Sequence, residues 1–314
     1  MATVTKLKAA VNNKNLPILG EDGNIYNYYV GRYIKKMSEL GYTLTSTELQ
    51  AVNTFVNAGI SDGWIDKVAY FMPFIGTETT PLQGMVPLID SISDYELAVN
   101  SVGTIFSFEN GKIKSFGGSS NCIGITKIPV TNFDLGTPDA FSIFINVNYL
   151  AANGDEEKTV KGTFAYANDS ENIARFSMRK GRSGSAPANS MNVGRRLDGQ
   201  SEITFIGISG TSYIEDAQLG IFAAIYNNPN DSINRKLYAI TKGDNTPTFE
   251  TSSITNVAMP KCTYVIGGNV RSMTTVTNCM AFLKPHNITE FDMYNFNQAV
   301  FALTTALGRD IPTT

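Results

Sequence analysis

The carboxylates of this 314-residue chain stand closest to a recognisable chemistry. Asp155, Glu156 and Glu157 are consecutive in NGDEE, and Glu215 and Asp216 are adjacent in YIEDA. Cleaving a glycosidic bond needs two carboxyl groups facing each other across a cleft, roughly 5–10 Å apart. Neighbours in a polar turn point into solvent, so hydrolysis would need a pair assembled from distant strands. Asn227, Asn228, Asn230 and Asp231 make an oxygen-rich turn, which is the donor type calcium prefers. Asn and Asp are also ordinary turn residues, and no D-x-D-x-D-G loop strengthens the calcium reading.

Nucleophilic and metal chemistry find less support. The chain has one histidine, His286, in the loop KPHNITE, and no nucleophile-elbow motif accompanies it. A histidine-rich zinc site is excluded by that count. Cys122, Cys262 and Cys279 are few, odd in number and far apart, without a CxxC pair, and read as free, buried thiols. GGSSN (117–121) lacks the Lys-Ser/Thr and the helix of a phosphate loop. The expectation is a chain that is not an enzyme, with no catalytic residue, cofactor or metal.

One basic cluster remains. RKGRSGSAPANSMNVGRR carries Arg179, Lys180, Arg182, Arg195 and Arg196 around a Gly/Ser/Ala loop. A solvated hairpin loop explains it, and so does a loop that docks on a neighbouring subunit or an acidic glycan through its arginines.

Composition narrows the partners. The net charge is −3 with no basic block, so nucleic acid is not expected. No apolar run approaches the ~20 residues of a membrane helix. The N-terminal MATVTKLKAAVNNKN lacks the apolar centre of a signal peptide, which points to synthesis in a cytoplasm. A hydrophobic fraction of 42% fits a globular protein with a full core.

Periodicity supplies the elements. Residues 1–22 carry little and read as an extended anchor segment. Tyr26, Tyr29, Val30, Tyr33 and Met37 recur at helical spacing. Thr45 followed by Glu48 is a capping box, so a second helix starts there with Leu49, Val52, Phe55 and Val56 inward. A short helix over 64–70 follows, ended by Pro73. Residues 23–80 thus form a helical adaptor.

Beyond residue 85 short strand-like runs alternate with turns, with a tight-hairpin signal at Asn110-Gly111 and alternation through Phe141, Ile143, Ile145, Val147 and Tyr149. Only Phe144 breaks the polar half of that alternation. The expected fold is mainly β: an antiparallel two-sheet jelly-roll sandwich over 85–314, closed by a C-terminal helix over 289–308 with Phe296, Val300, Leu303 and Leu307 inward.

WIDKVAYFMPFIG, residues 64–76, gathers the single tryptophan, Trp64, with Tyr70, Phe71 and Phe74. Each such ring buries roughly 150–250 Å². The favoured reading is packing between adaptor and sandwich; a subunit interface and a sugar-stacking site are the alternatives.

Two segments resemble a known group. ITEFDMYNFNQAVFALTTALGR is similar to the helix that closes the laminin-G-like, concanavalin A-like jelly rolls of tailed-phage virion proteins, which begins with a Thr and acidic pair and ends in a TALGR-type sequence, here Thr305 to Arg309. TELQAVNTFVNAGISDGWIDKVAYFMPFIG resembles the helical lead-in of the same jelly rolls through Trp64, Lys67, Tyr70, Pro73, Phe74 and Gly76. The similarity covers residues 45–310. It departs at PLQGMVPLID, where the group has a lysine-aspartate stretch, which implies a different docking of the lead-in. The resemblance implies a structural component of a tail, tail ring or head or tail fibre. It would be assembled in the host cytoplasm through its N-terminal region, with itself and other virion proteins as partners. Its alternative implication is a carbohydrate-binding module that recognises a host surface glycan.

Overall fold

The computed structural model describes residues 18–19, 23–76, 84, 86–90, 98–102, 106–109, 112–115, 122–129, 139–149, 165–167, 174–180, 189–195, 206–207, 217–227, 233, 235–252, 262–266 and 275–310. Among them are the α-helices α1 (Tyr28–Glu39), α2 (Ser46–Ser61) and α3 (Glu290–Ala306). The strands of the first half are β1 (Ile18–Leu19), β2 (Ile25–Tyr26), β3 (Val68–Met72), β4 (Ile89–Asp90), β5 (Ala98–Val102), β6 (Phe106–Glu109), β7 (Lys112–Ser115), β8 (Cys122–Pro129) and β9 (Asp139–Tyr149). Those of the second half are β10 (Ala165–Ala167), β11 (Ala174–Lys180), β12 (Asn189–Arg195), β13 (Ile206–Gly207), β14 (Ala217–Asn227), β15 (Arg235–Thr241), β16 (Thr248–Ser252), β17 (Cys262–Ile266) and β18 (Thr275–Leu283).

The fold is mainly antiparallel β. Nine strands form the main sheet, in the order β16-β15-β14-β9-β18-β3-β4, with β7 also paired to β18 and β6 to β7. A four-stranded sheet runs β10-β17-β8-β5, and a three-stranded one runs β11-β12-β13. Ladder β9–β14 is the longest, from Ala217↔Tyr149 to Asn227↔Asp139. The Asn110-Gly111 hairpin signal falls between β6 and β7, whose last pair is Glu109↔Lys112, although residues 110–111 lie outside the described set.

Local sequence sets the helices. Thr45 and Glu48 form the capping box of α2, and Thr289 with Asp292 forms that of α3. Asn27 caps α1 by accepting from the Val30 N–H at 3.0 Å. α1 is tied to the sheet edge through Asp90 of β4, which takes Arg32 at 3.3 Å and Lys36 at 3.4 Å.

The stretch 64–70 corrects one expectation. A single 3₁₀ turn spans Ile65–Lys67, and the chain then extends as β3. All five β3 residues are buried, and Tyr70 pairs with Phe282 and Phe71 with Ala281 of β18. A strand buried on both faces reads as a continuous apolar run, which periodicity does not separate from a buried helix. β3 thereby makes the segment 23–80 a contributor to the main sheet, with β4, beyond residue 85, as its neighbour.

Helices α2 and α3 cover one face of the main sheet. One core joins Val52, Phe55 and Val56 of α2 to Met293, Phe296 and Val300 of α3, and both to Phe71, Phe144, Phe222 and Ala281 of the strands. The opposite face is buried as well, at Ile145, Ile221, Leu237, Met280 and Phe282.

Candidate functional site

Most residues singled out in the two end segments meet at one place, while Tyr70 packs on Phe282 at the other face of the sheet. α2 and α3 run antiparallel, which sets the 64–76 stretch beside the start and the end of α3. Phe296 is the hub: its ring centroid lies 4.8 Å from Phe144, 5.1 Å from Trp64, 6.0 Å from Phe55 and 6.1 Å from Phe71, all near edge-to-face. Phe55 and Phe71 stack at 4.4 Å. Trp64, Phe71 and Phe74 are 0% exposed and Tyr70 1%, so these rings offer no surface to a ligand or a second subunit. Trp64 lies over Gly59, where a Cβ would stand 2.7 Å from the indole.

Two polar clamps flank the rings. At the first, Lys67 Nζ donates to Asp292 Oδ1 at 2.7 Å and Oδ2 at 2.6 Å. Asp292 also accepts from the backbone N–H and the hydroxyl of Thr289, so one carboxylate caps α3 and holds the turn before β3. Burial works to raise the Asp292 pKa, but the hydrogen bonds from Lys67 and Thr289 outweigh it and bring the group below its ordinary value. A depressed carboxylate stabilises the fold at pH values above its unfolded-state pKa and loses that contribution as pH falls through the folded one. Asp292→Asn is therefore expected to lower stability by about 1–2 kcal/mol at pH 7, a modest figure because Lys67 is partly exposed. Urea titrations should show the difference from the parent protein shrinking at pH 3.

At the second clamp Arg309, 2% exposed, sends its guanidinium to three backbone carbonyls. It donates to Asn278 O at 2.7 Å, to Phe74 O at 3.2 Å and to Pro73 O in a short contact. Burial lowers its pKa to about 10, which leaves it charged at neutral pH. Among the described residues no carboxylate stands within ion-pair distance. Carbonyl dipoles take that part.

Around Arg309 a polar network lies beneath the end of α3. Asn278 Nδ2 donates to Asn146 Oδ1 at 2.8 Å and Asn148 Oδ1 at 2.7 Å. Gln218 Nε2 donates to Asn146 Oδ1 at 2.7 Å and Thr304 Oγ1 at 2.8 Å, and Asn148 Nδ2 to Arg309 O at 3.0 Å. All of these side chains are buried. Sequence reasoning missed them, because Asn146 and Asn148 occupy the polar half of β9's alternation. Phe144, the apolar exception on that half, was the one signal that this face is covered.

Cys279 sits in the same layer, fully buried, and desolvation pushes its thiol up to about 12. It is expected to resist iodoacetamide at pH 8 in the native protein and to react only in denaturant, as peptide mapping would show.

The other sequence candidates are not brought here. Arg179 lies in β11 opposite Ser190, and Arg195 in β12 opposite Ala174, at opposite ends of one ladder. Arg182 and Arg196 lie outside the described residues, as do Asp155, Glu156, Glu157, Glu215, Asp216, 117–121 and 228–231. Cys122 and Cys262 begin β8 and β17. His286 is exposed, its ring 6.2 Å from that of Tyr226. Among the described residues no group of three or more His, Cys, Asp or Glu is placed to hold a metal. An uncharged groove of about 350 Å³ runs between α2 and α3, lined by Thr47, Gln50, Thr54, Ala58, Ala302 and Ala306 among others.

No protein-family model matches the sequence, and no curated protein matches it. Solved structures similar to the chain include lectins and alginate lyases. Peanut lectin is 8% identical with a TM-score of 0.41, over 61% of this chain and 93% of the lectin. An alginate lyase is 9% identical with a TM-score of 0.38, over 59% and 86%. The alginate lyase of Aplysia kurodai is 11% identical with a TM-score of 0.34, over 55% and 82%. These are likenesses of fold and assign the chain no activity. The expectation that it is not an enzyme is nonetheless corrected by them: alginate lyases stand among the similar structures, and the lack of a familiar motif does not exclude catalysis.

Proposed function

We propose that this chain is a structural component of a tailed-phage virion, in a tail, tail ring or head or tail fibre, that assembles with copies of itself and with other virion proteins through its N-terminal region. One observation carries the reading. Trp64, Lys67, Pro73 and Phe74, which carry the resemblance near one end, make direct contact with the segment holding Asp292, Phe296 and Arg309, which carries it at the other. Their roles in that junction are packing, ion pairing and carbonyl capture. A motif of this kind joins a helical lead-in to a jelly roll, as a building part requires. We take the nine-stranded and four-stranded sheets as the two layers of that jelly roll, a reading supported by burial of both faces of the main sheet.

The test is the solution mass of the full chain by light scattering, together with immunogold labelling of purified tailed-phage particles. A stable homo-oligomer and labelled particles are the expected results. A monomer that leaves particles unlabelled and binds polysaccharide on a glycan array would overturn the proposal and favour carbohydrate recognition.

A further inference from the structure

We infer that residues 4–11 of one copy seat their apolar side chains in the groove between α2 and α3 of a neighbouring copy. The inference rests on the self-assembly part of the reading above, not on its virion part. The groove follows from side-chain size. Ala51, Ala58, Ala299, Ala302 and Ala306 line it and leave about 350 Å³ open above buried Phe55 and Leu303. Thr47, Thr54, Ala302 and Ala306 on its walls are exposed. Ile60 and Phe291, where α2 ends and α3 begins, are exposed large apolar side chains as well. Apolar surface collected on one layer marks an interaction site.

Charge selects the occupant. No lysine or arginine occurs in 44–66 or 285–308. The two helices and their ends therefore contribute only carboxylates: Glu48, Asp62 and Glu290, besides Asp292, which Lys67 holds. Two such layers face to face would set carboxylate against carboxylate, which disfavours groove-to-groove pairing. Residues 1–17 are the reverse. They hold Lys6, Lys8 and Lys14 and no acidic residue, with Val4, Leu7 and Val11 among them. Those three side chains suit a groove without charge, and the lysines suit acidic helix ends. Chain length favours a neighbour's groove. Ile18 lies against Gly31 of α1, and α1 meets α2 through Asn27, whose amide reaches Asn53 and Asn57. Asn53 and Asn57 are each two residues from Ala51 and Phe55, so they lie on the opposite flank of α2 from the groove. From Val11 to Ile18 a taut chain reaches roughly 23 Å. Crossing α1 and α2 of the same copy, each about 10 Å wide, would use nearly all of that. A contact of this kind is head-to-tail, and closes into a ring or runs on as a filament.

Light scattering of the full chain and of two variants tests this. The parent is expected to be oligomeric. Leu7→Asp, which spoils the segment, and Ala302→Arg, which fills the groove, should each be monomeric with unchanged circular dichroism. Mixed one to one at high concentration, the two variants should recover a complex of twice the monomer mass, because the intact segment of the second enters the intact groove of the first. Variants that keep the parent mass, or a mixture that stays monomeric, would overturn the inference and leave self-assembly standing. A parent chain that is itself a monomer would overturn both. Should Ala302→Arg not fold, Thr54→Arg on the facing wall takes its place.

Discussion

Replacing Phe296 with alanine is expected to lower the unfolding free energy by about 3–5 kcal/mol, the range for large aromatic deletions in close-packed cores. The ring is 0% exposed and touches rings from three separate parts of the chain: Phe55 of α2, Trp64 and Phe71 around the 3₁₀ turn and β3, and Phe144 of β9. Collapse around the missing ring would need helix, turn and sheet to shift together, so the cavity stays and the loss falls toward the upper end. The urea midpoint should fall with an unchanged slope. Trp64 fluorescence should change in the native state, since the indole loses an edge-to-face partner. A loss below about 1 kcal/mol would mean that α3 is not packed on the sheet as described.

Gly220→Ala carries the second large effect, from overpacking. A Cβ at this β14 position would stand 1.6 Å from Asn297 Oδ1 and 2.8 Å from its Cγ. Asn297 has little freedom to retreat, because it is fully buried and its Nδ2 donates to Met293 O at 2.9 Å. Either the amide breaks that bond or α3 lifts from the sheet. Overpacked sites typically lose about 1–3 kcal/mol, and the upper part of that range is expected here. The double variant Gly220→Ala/Asn297→Ala separates the causes: it should be more stable than the sum of the single changes predicts, because the second substitution removes the clash created by the first. Thermal unfolding of the four proteins measures the coupling.

The helices were legible in the sequence where their signals were local. The capping boxes at Thr45 and Thr289 and the 3.6-residue stripes placed α2 and α3 to within a residue or two. Strand periodicity and turn residues gave the antiparallel character in the same way. β3 was misread because its long partner, β18, is remote in sequence and only that pairing makes VAYFM a strand. That Trp64, Tyr70, Phe71 and Phe74 would be buried was legible, since they are too much apolar surface to leave in water; that Trp64 and Phe71 meet Phe296 while Tyr70 meets Phe282 on the other face was not. Nor was the polar side of the junction. Asn146, Asn148, Gln218 and Asn278 are scattered over three strands, and their burial is tolerable only because Thr304 and Arg309 come down from the end of α3 to meet them. No spacing rule links residue 146 to residue 309.

The account rests on the lead-in, the closing helix and the main sheet forming one cooperative core. Equilibrium urea unfolding tests that most directly, because the single tryptophan lies among the helices while far-UV circular dichroism sums the helices and strands of the whole chain. Trp64 fluorescence and the dichroism signal are expected to trace the same transition, with one midpoint and one slope. A fluorescence transition complete at urea concentrations where much of the dichroism signal is still native would contradict it, and would make the helical lead-in a separately folding adaptor.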